Sequence, residues 1–204
     1  MTKPWFRKRH RSLTLAARNE GLRNRTATAR ERYHDTLSEQ MTGSILQISI
    51  SAGGIPKRAI PEALITPEGI RGDRWSHPDI HGGPNQAVLI LTSEGIDELV
   101  AQGFALYPGA LGENLTTLGL DRRQFRVGQR YRANKVFLEI TKRRAPCATL
   151  NVYGPAIQRA VFDPQVKAGD PASPRWGLSG FYARVLKGGT LRPGDPIALE
   201  EQFA

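Results

Sequence analysis

Glycine and proline interrupt this chain so often that long helices have little room. Twenty-one glycines and fourteen prolines stand among 204 residues. Glycine weakens a helix interior and proline breaks it, so turns and short strands are expected instead. The apolar runs between these breakers fit that reading. Ile45, Leu46, Ile48 and Ile50 read as a first strand ended by Gly53-Gly54, and Ala63–Thr66 as a second. Ala87–Thr92 reads as a buried strand. Ser93 is expected to cap one helix, SEGIDELVAQG, with Ile96, Leu99 and Val100 on one face and Gly103 closing it. ALGENLTTLGL reads as a strand region, and RVGQRYR with KVFLEITK as a hairpin. Tyr153–Val166 is a mixed segment with helical character. FYARVLKGG is a further strand, and Pro193-Gly194-Asp195 turns the chain into the last. The fold class expected is mainly β with one or two helices, arranged as a closed or partly closed β-barrel.

The formal net charge is +10, which suggests nucleic acid until the charge is located. Residues 1–40 hold ten Lys/Arg and four Asp/Glu and so carry +6 of it. This segment is Arg-rich, poor in aliphatic residues and without a repeating apolar stripe. It reads as a basic, disordered arm. At Met41 the texture changes to MTGSILQISISAGG, so residues 41–204 form the expected domain, and Met41 is a candidate for the physiological start. The arm has too few aromatics to stack on bases, which argues against a nucleic-acid partner. No stretch is long and apolar enough for a membrane span, and no secretory signal pattern opens the chain. One cysteine excludes an internal disulfide, which fits a reducing, cytoplasmic compartment.

Several activities lack their motifs. The sequence has no phosphate-binding GxxxxGK[ST], no dinucleotide-binding GxGxxG between strand and helix, no HExxH and no GxSxG. His77 and His81 are four apart, but Pro78 argues against the helix that would align them on zinc.

Three segments remain. In GDRWSHPDIHGGPNQ, Gly72, Gly82 and Gly83 permit close backbone approach, and Arg74 and His81 supply donors. Read from composition alone, a plain surface turn between two strands is the simpler explanation. In PGALGENL, Asn114 offers an amide at a strand start, where turn chemistry is the simpler explanation. In RRAPCATL stands Cys147. A lone cysteine is usually a small buried hydrophobe. This one follows Pro146 at a strand end, close to Arg143 and Arg144, and nearby cations favour a thiolate. A thiolate binds soft metals or carries sulfur.

Taken in order, MTGSILQISISAGGIPK, GIRGDRWSHPDIHGGPNQAVLI, YPGALGENLT, FRVGQRYR, RRAPC and GFYARVLKGGTLRPGD resemble a MOSC domain, named for the C-terminal domain of molybdenum-cofactor sulfurase. The resemblance runs from Met41 to about Ile197 and is greatest to the short, stand-alone bacterial members. It implies a β-barrel related to that of pyruvate kinase. It implies a pterin-type molybdenum cofactor, with Cys147 as the metal ligand and catalytic residue. Arg74, His81, Gly82, Gly83, Asn114, Arg143 and Arg144 would then line or hold the cofactor. At family level it also implies pyridoxal phosphate binding. Two activities follow from it. The first is reduction of a small N-hydroxylated substrate, such as a hydroxylaminopurine or an amidoxime, with electrons from an external donor protein. The second is a sulfur carrier bearing a persulfide on Cys147. Trp75, after Gly72-Asp73-Arg74, matches no fixed family position, and its role is open.

Overall fold

The computed structural model describes residues 41–75 and 82–201. The basic arm expected over residues 1–40 lies outside them, as does His81.

The first strand, β1 (Thr42–Ile50), is long enough to serve three partners. Its start pairs with β11 (Pro196–Glu201), its middle with β6 (Leu115–Leu118) and its end with β2 (Arg58–Ile60). Those first two pairings close a barrel. Around it run β1, β11, β7 (Arg130–Ala133), β8 (Val136–Arg143), β9 (Phe181–Lys187), β5 (Val88–Thr92) and β6, which returns to β1. Closure removes the open edges that a sheet of this length would otherwise expose. A smaller sheet of β3 (Ala63–Thr66), β4 (Gly69–Ile70) and β10 (Gly189–Leu191) stands beside it.

The expected hairpin forms with Ala133 opposite Val136. Asn134 takes the left-handed conformation at its tip, φ 54°, which a short amide side chain tolerates. The expected turn at Pro193-Gly194-Asp195 also forms, and its backbone bonds to Ile45 in β1.

The strand β5 is buried along its whole length, and the two faces have different partners. Val88 and Ile90 join the core that also holds Ile45, Leu138 and Ile140. Leu89 and Leu91 join a second cluster with Ile96, Leu99, Ile157 and Val161. Those last four side chains come from α1 (Ser93–Val100) and α2 (Ile157–Val161). A strand covered on both sides reads as a continuous apolar run rather than an alternation. The helix α1 also carries the chain from β5 to β6, which run parallel, so a crossover of this kind is required there.

Two details differ from expectation. The N-cap of α1 is Thr92, whose hydroxyl accepts the Gly95 N–H at 3.1 Å, and Ser93 is the first helical residue. Both residue types cap well, and sequence alone does not separate adjacent candidates. The mixed segment after Tyr153 is also not one helix. Cys147 precedes a 3-10 turn, Ala148–Tyr153, and two single-turn helices follow, α2 and α3 (Pro164–Ala168). Gly154, with φ 113°, and Pro164 divide them.

Inside the barrel, Phe125 stacks between Tyr131 and Phe181 at 4.9 and 5.2 Å, and Trp176 tilts onto Phe181 at 5.9 Å. No helix among the described residues is long and apolar enough to cross a membrane.

Candidate functional site

The cleft forms where the segments after β1, after β4, before β6 and after β8 meet, with Leu89 of β5 and Tyr182 of β9 beside them. A cleft open to solvent lies between them, with a cavity volume of about 90 Å³, smaller than a typical small-molecule pocket.

One wall is a locked network centred on Asp73, whose side chain is 3% exposed. Its Oδ1 accepts the Ser51 N–H at 2.8 Å, and its Oδ2 accepts the Asn114 amide at 2.8 Å. Oδ2 also takes the Lys57 ammonium in an ion pair. Lys57 is itself buried. Burial pulls its pKa down, Asp73 and Glu113 work against that, and the net direction is downward. The Asn114 side chain is fully engaged. Its Oδ1 accepts the Leu89 N–H at 3.1 Å, and its Nδ2 donates to the Ser49 carbonyl at 3.2 Å as well as to Asp73. Asn114 borders the cleft as expected, but its amide pins β5, β1 and the Asp73 loop together.

Glu113 lies behind this wall and is 0% exposed. Its Oε1 accepts the Gly109 N–H at 2.5 Å and the Thr116 hydroxyl at 3.1 Å. Its Oε2 is buried without a protein partner. Burial pushes this carboxyl up, although the Gly109 and Thr116 donors and the Arg144 charge oppose it. Gly109 holds a positive φ of 93°, and a Cβ there would meet the Lys57 carbonyl at 2.4 Å. Only glycine fits that approach.

The opposite wall carries Arg144, Cys147, Thr149 and Tyr182. Arg144 is 7% exposed, and its Nη1 is buried with no protein partner. Its guanidinium lies against the Tyr182 hydroxyl. Cys147 is half-buried. Burial works to raise its thiol, but hydrogen bonds from Thr149, the Arg144 charge and the Leu150 amide outweigh it, and the thiol lies below its ordinary range. That is the local recipe for a thiolate.

Arg143 is not brought to the cleft. Arg143 ends β8 and Arg144 follows it, and adjacent residues of an extended chain point to opposite sides. The Arg143 guanidinium sits over the Trp176 ring at 5.1 Å instead. Arg74 does border the cleft and is exposed. Gly82 and Gly83 do not line it, but Gly82 packs on Trp75, which does. Lys57, Asp73, Tyr182 and Thr149 belong to the site although nothing in the sequence singled them out. The GDRW motif held Asp73 in view, but its partners lie 16 and 41 residues away.

Among the described residues no three His, Cys, Asp or Glu side chains cluster to hold a metal.

Comparison with known proteins agrees with this architecture. The MOSC domain profile matches residues 77–198. The uncharacterized protein YflK of Bacillus subtilis is 30% identical over 151 residues, covering 72% of this chain and 62% of that protein. A reductase of Gibberella moniliformis is 30% identical over 142 residues, covering 66% of this chain but only 23% of the reductase. The crystal structure of YiiM from Geobacillus stearothermophilus superposes with a TM-score of 0.59 at 25% identity, covering 78% of this chain and 75% of that one. The chain belongs to the MOSC domain family. It spans about three fifths of the length of the Bacillus subtilis relative.

Proposed function

We propose that the cleft binds a pterin-type molybdenum cofactor through Cys147 and reduces small N-hydroxylated compounds, with electrons from an external donor protein. The observation that carries this reading is the half-buried thiol of Cys147, held low by Thr149 and Arg144 on a cleft wall whose Arg144 Nη1 is unpartnered. Soft thiolates suit soft metals. A buried guanidinium nitrogen without a partner is costly unless an acceptor completes it, and the phosphate of a pterin cofactor would do so. Arg74, exposed at the mouth, is a second donor for that phosphate. The reductase relative supports the choice of reaction class, through the segment it shares with this chain.

When bound, the cofactor would supply the two-electron redox chemistry. The overall reaction consumes two electrons and two protons, breaks the N–O bond and yields amine and water. The chain's own contribution is to seat the metal at Cys147, balance anionic charge with Arg144 and Arg74, and hold the Asp73 network rigid beneath. Pyridoxal phosphate gains no support here, because the one cleft lysine among the described residues, Lys57, is paired to Asp73.

The test is molybdenum content per chain in protein from a host that makes the cofactor, for wild type and Cys147→Ser. Near-stoichiometric metal lost in the variant is the expected result. No metal in wild type, with a persulfide mass on Cys147, would replace this reading with the sulfur carrier.

A further inference from the structure

Two buried polar atoms beside the cleft lack partners, and they are complementary. Glu113 Oε2 is the one buried carboxylate oxygen among the described residues that accepts nothing, and Arg144 Nη1 is a buried donor that donates to nothing. The Arg144 charge acts on the Glu113 carboxyl, yet these two atoms do not bond each other. The uneven bonding of Glu113 fits a neutral acid. In a protonated carboxyl one oxygen only accepts and the other carries the proton. Oε1 takes both the Gly109 N–H and the Thr116 hydroxyl, and Oε2 takes neither. A bare charge left at Oε2 would cost more than a neutral hydroxyl there, and burial pushes the carboxyl up. The groups that face Glu113 come from separate segments. Thr116 belongs to β6. Lys57, after β1, already has a carboxylate in Asp73. Tyr153, after the 3-10 turn that follows Cys147 begins, is pushed up by burial and stays neutral. Arg144, after β8, keeps its bare nitrogen.

We propose that Glu113 governs anion capture at Arg144 through the proton it carries. The neutral acid leaves the guanidinium charge open to a phosphate-bearing ligand, and the ionised acid offsets that charge from behind the wall. Glu113 is thus a positioning residue that acts on the ligand through Arg144. Binding of the anion and of the proton favour each other, because a coupling between two sites is reciprocal. An anion on Arg144 removes the cation that favours ionised Glu113, so the acid takes up a proton as the anion binds. Rising pH ionises Glu113 and weakens the anion in turn. This deepens the reading of Arg144 as a donor to the cofactor phosphate and rests on it for the ligand, while the coupling itself needs neither molybdenum nor turnover.

The experiment uses the full chain from a host that does not make the cofactor. It carries Cys147→Ser, so that the thiol beside Arg144 adds no titration of its own. Sulfate is the probe, because it keeps one charge throughout the range while phosphate does not. Calorimetric titrations run from about pH 5 to about pH 9, each in two buffers of different ionisation enthalpy, which count the protons taken up. Sulfate affinity is expected to fall about tenfold as pH rises through the range, with up to about one proton taken up per sulfate bound where Glu113 titrates. Arg144→Ala should weaken sulfate by about tenfold or more. Glu113→Gln keeps an acceptor for Gly109 and Thr116 and never ionises. It should hold the low-pH affinity at every pH and take up no proton. The proton count without that substitution decides the matter even where the Gln variant fails to fold. Sulfate affinity independent of pH would overturn the proposal, as would the same slope and proton count in Glu113→Gln. Sulfate binding indifferent to Arg144→Ala would overturn it as well and take the phosphate role of Arg144 with it. Proton-linked sulfate binding by a protein that gains no molybdenum in a cofactor-making host would leave the coupling standing and remove the reductase reading instead.

Discussion

The two walls of the cleft are built on opposite plans. On the Asp73 wall nearly every polar group is satisfied by protein. One carboxylate takes a backbone N–H, an amide and an ammonium, and Asn114 completes its own set with Ser49 and Leu89. On the Cys147 wall the thiol is half-exposed and Arg144 keeps an unpartnered nitrogen. Satisfied buried networks rigidify a fold, whereas unsatisfied polar atoms cost stability and call for another explanation. Within a single cavity, one wall is thus closed by its own hydrogen bonds, Glu113 Oε2 behind it excepted, and the other keeps polar groups open.

Substitutions should respect that division. The largest effect on the Cys147 wall is expected from Cys147→Ser. Molybdenum per chain should fall to background while urea stability moves by no more than about 0.5 kcal/mol, as for a surface-like change. On the Asp73 wall the order reverses. Asp73→Ala would leave the buried Lys57 ammonium without its carboxylate, and urea denaturation should register a loss of about 3–5 kcal/mol.

The adjacent arginines sharpen the comparison further. Arg144→Ala should reduce molybdenum loading severalfold. Arg143→Ala should leave loading unchanged and cost about 0.5–1 kcal/mol of stability, through the lost contact with Trp176. Equal losses of loading from both variants would dissolve the distinction between the walls.

The smallest effect concerns pH. The Glu113 carboxyl is raised in the fold, so the folded state holds a proton that the unfolded state releases. Its contribution to stability is full below the ordinary carboxylate pKa and declines as pH rises through the raised value. Glu113→Gln should flatten that part of the stability–pH curve, measured by denaturation at a series of pH values. A curve that kept its slope in the variant would assign the pH dependence elsewhere.

Much of the barrel was legible in the sequence because strand signals are local. The apolar runs at Ile45–Ile50, Ala63–Thr66 and Ala87–Thr92 correspond closely to β1, β3 and β5. The turn expected at Pro193-Gly194-Asp195 also forms. Ring closure was less legible, since it depends on β1 meeting β11 from the far end of the chain. Cys147, Arg74 and Arg144 line the cleft; their side-chain chemistry drew notice in the sequence, but only the family resemblance gave them a role. The misplacement of Arg143 has a simple cause. Two neighbouring arginines look equivalent in a sequence, but the two-residue period of a strand sends them to opposite faces. Asn114 was visible as an amide beside the cleft, yet only its neighbours reveal that all its hydrogen bonds are internal.

By itself, then, the sequence determined that this chain would be a glycine-punctuated β protein with one thiol in a basic setting. Those properties follow from breakers, side-chain period and residue chemistry, which act over a few residues. The tertiary structure decided which groups share the cleft and which are already satisfied. Asp73 meets Lys57 and Asn114 only because β1, β5 and β6 lie side by side, and Trp75 borders the cleft with the backbone of Gly82 against its ring. Such encounters depend on the path of the whole chain, and no local stretch contains them.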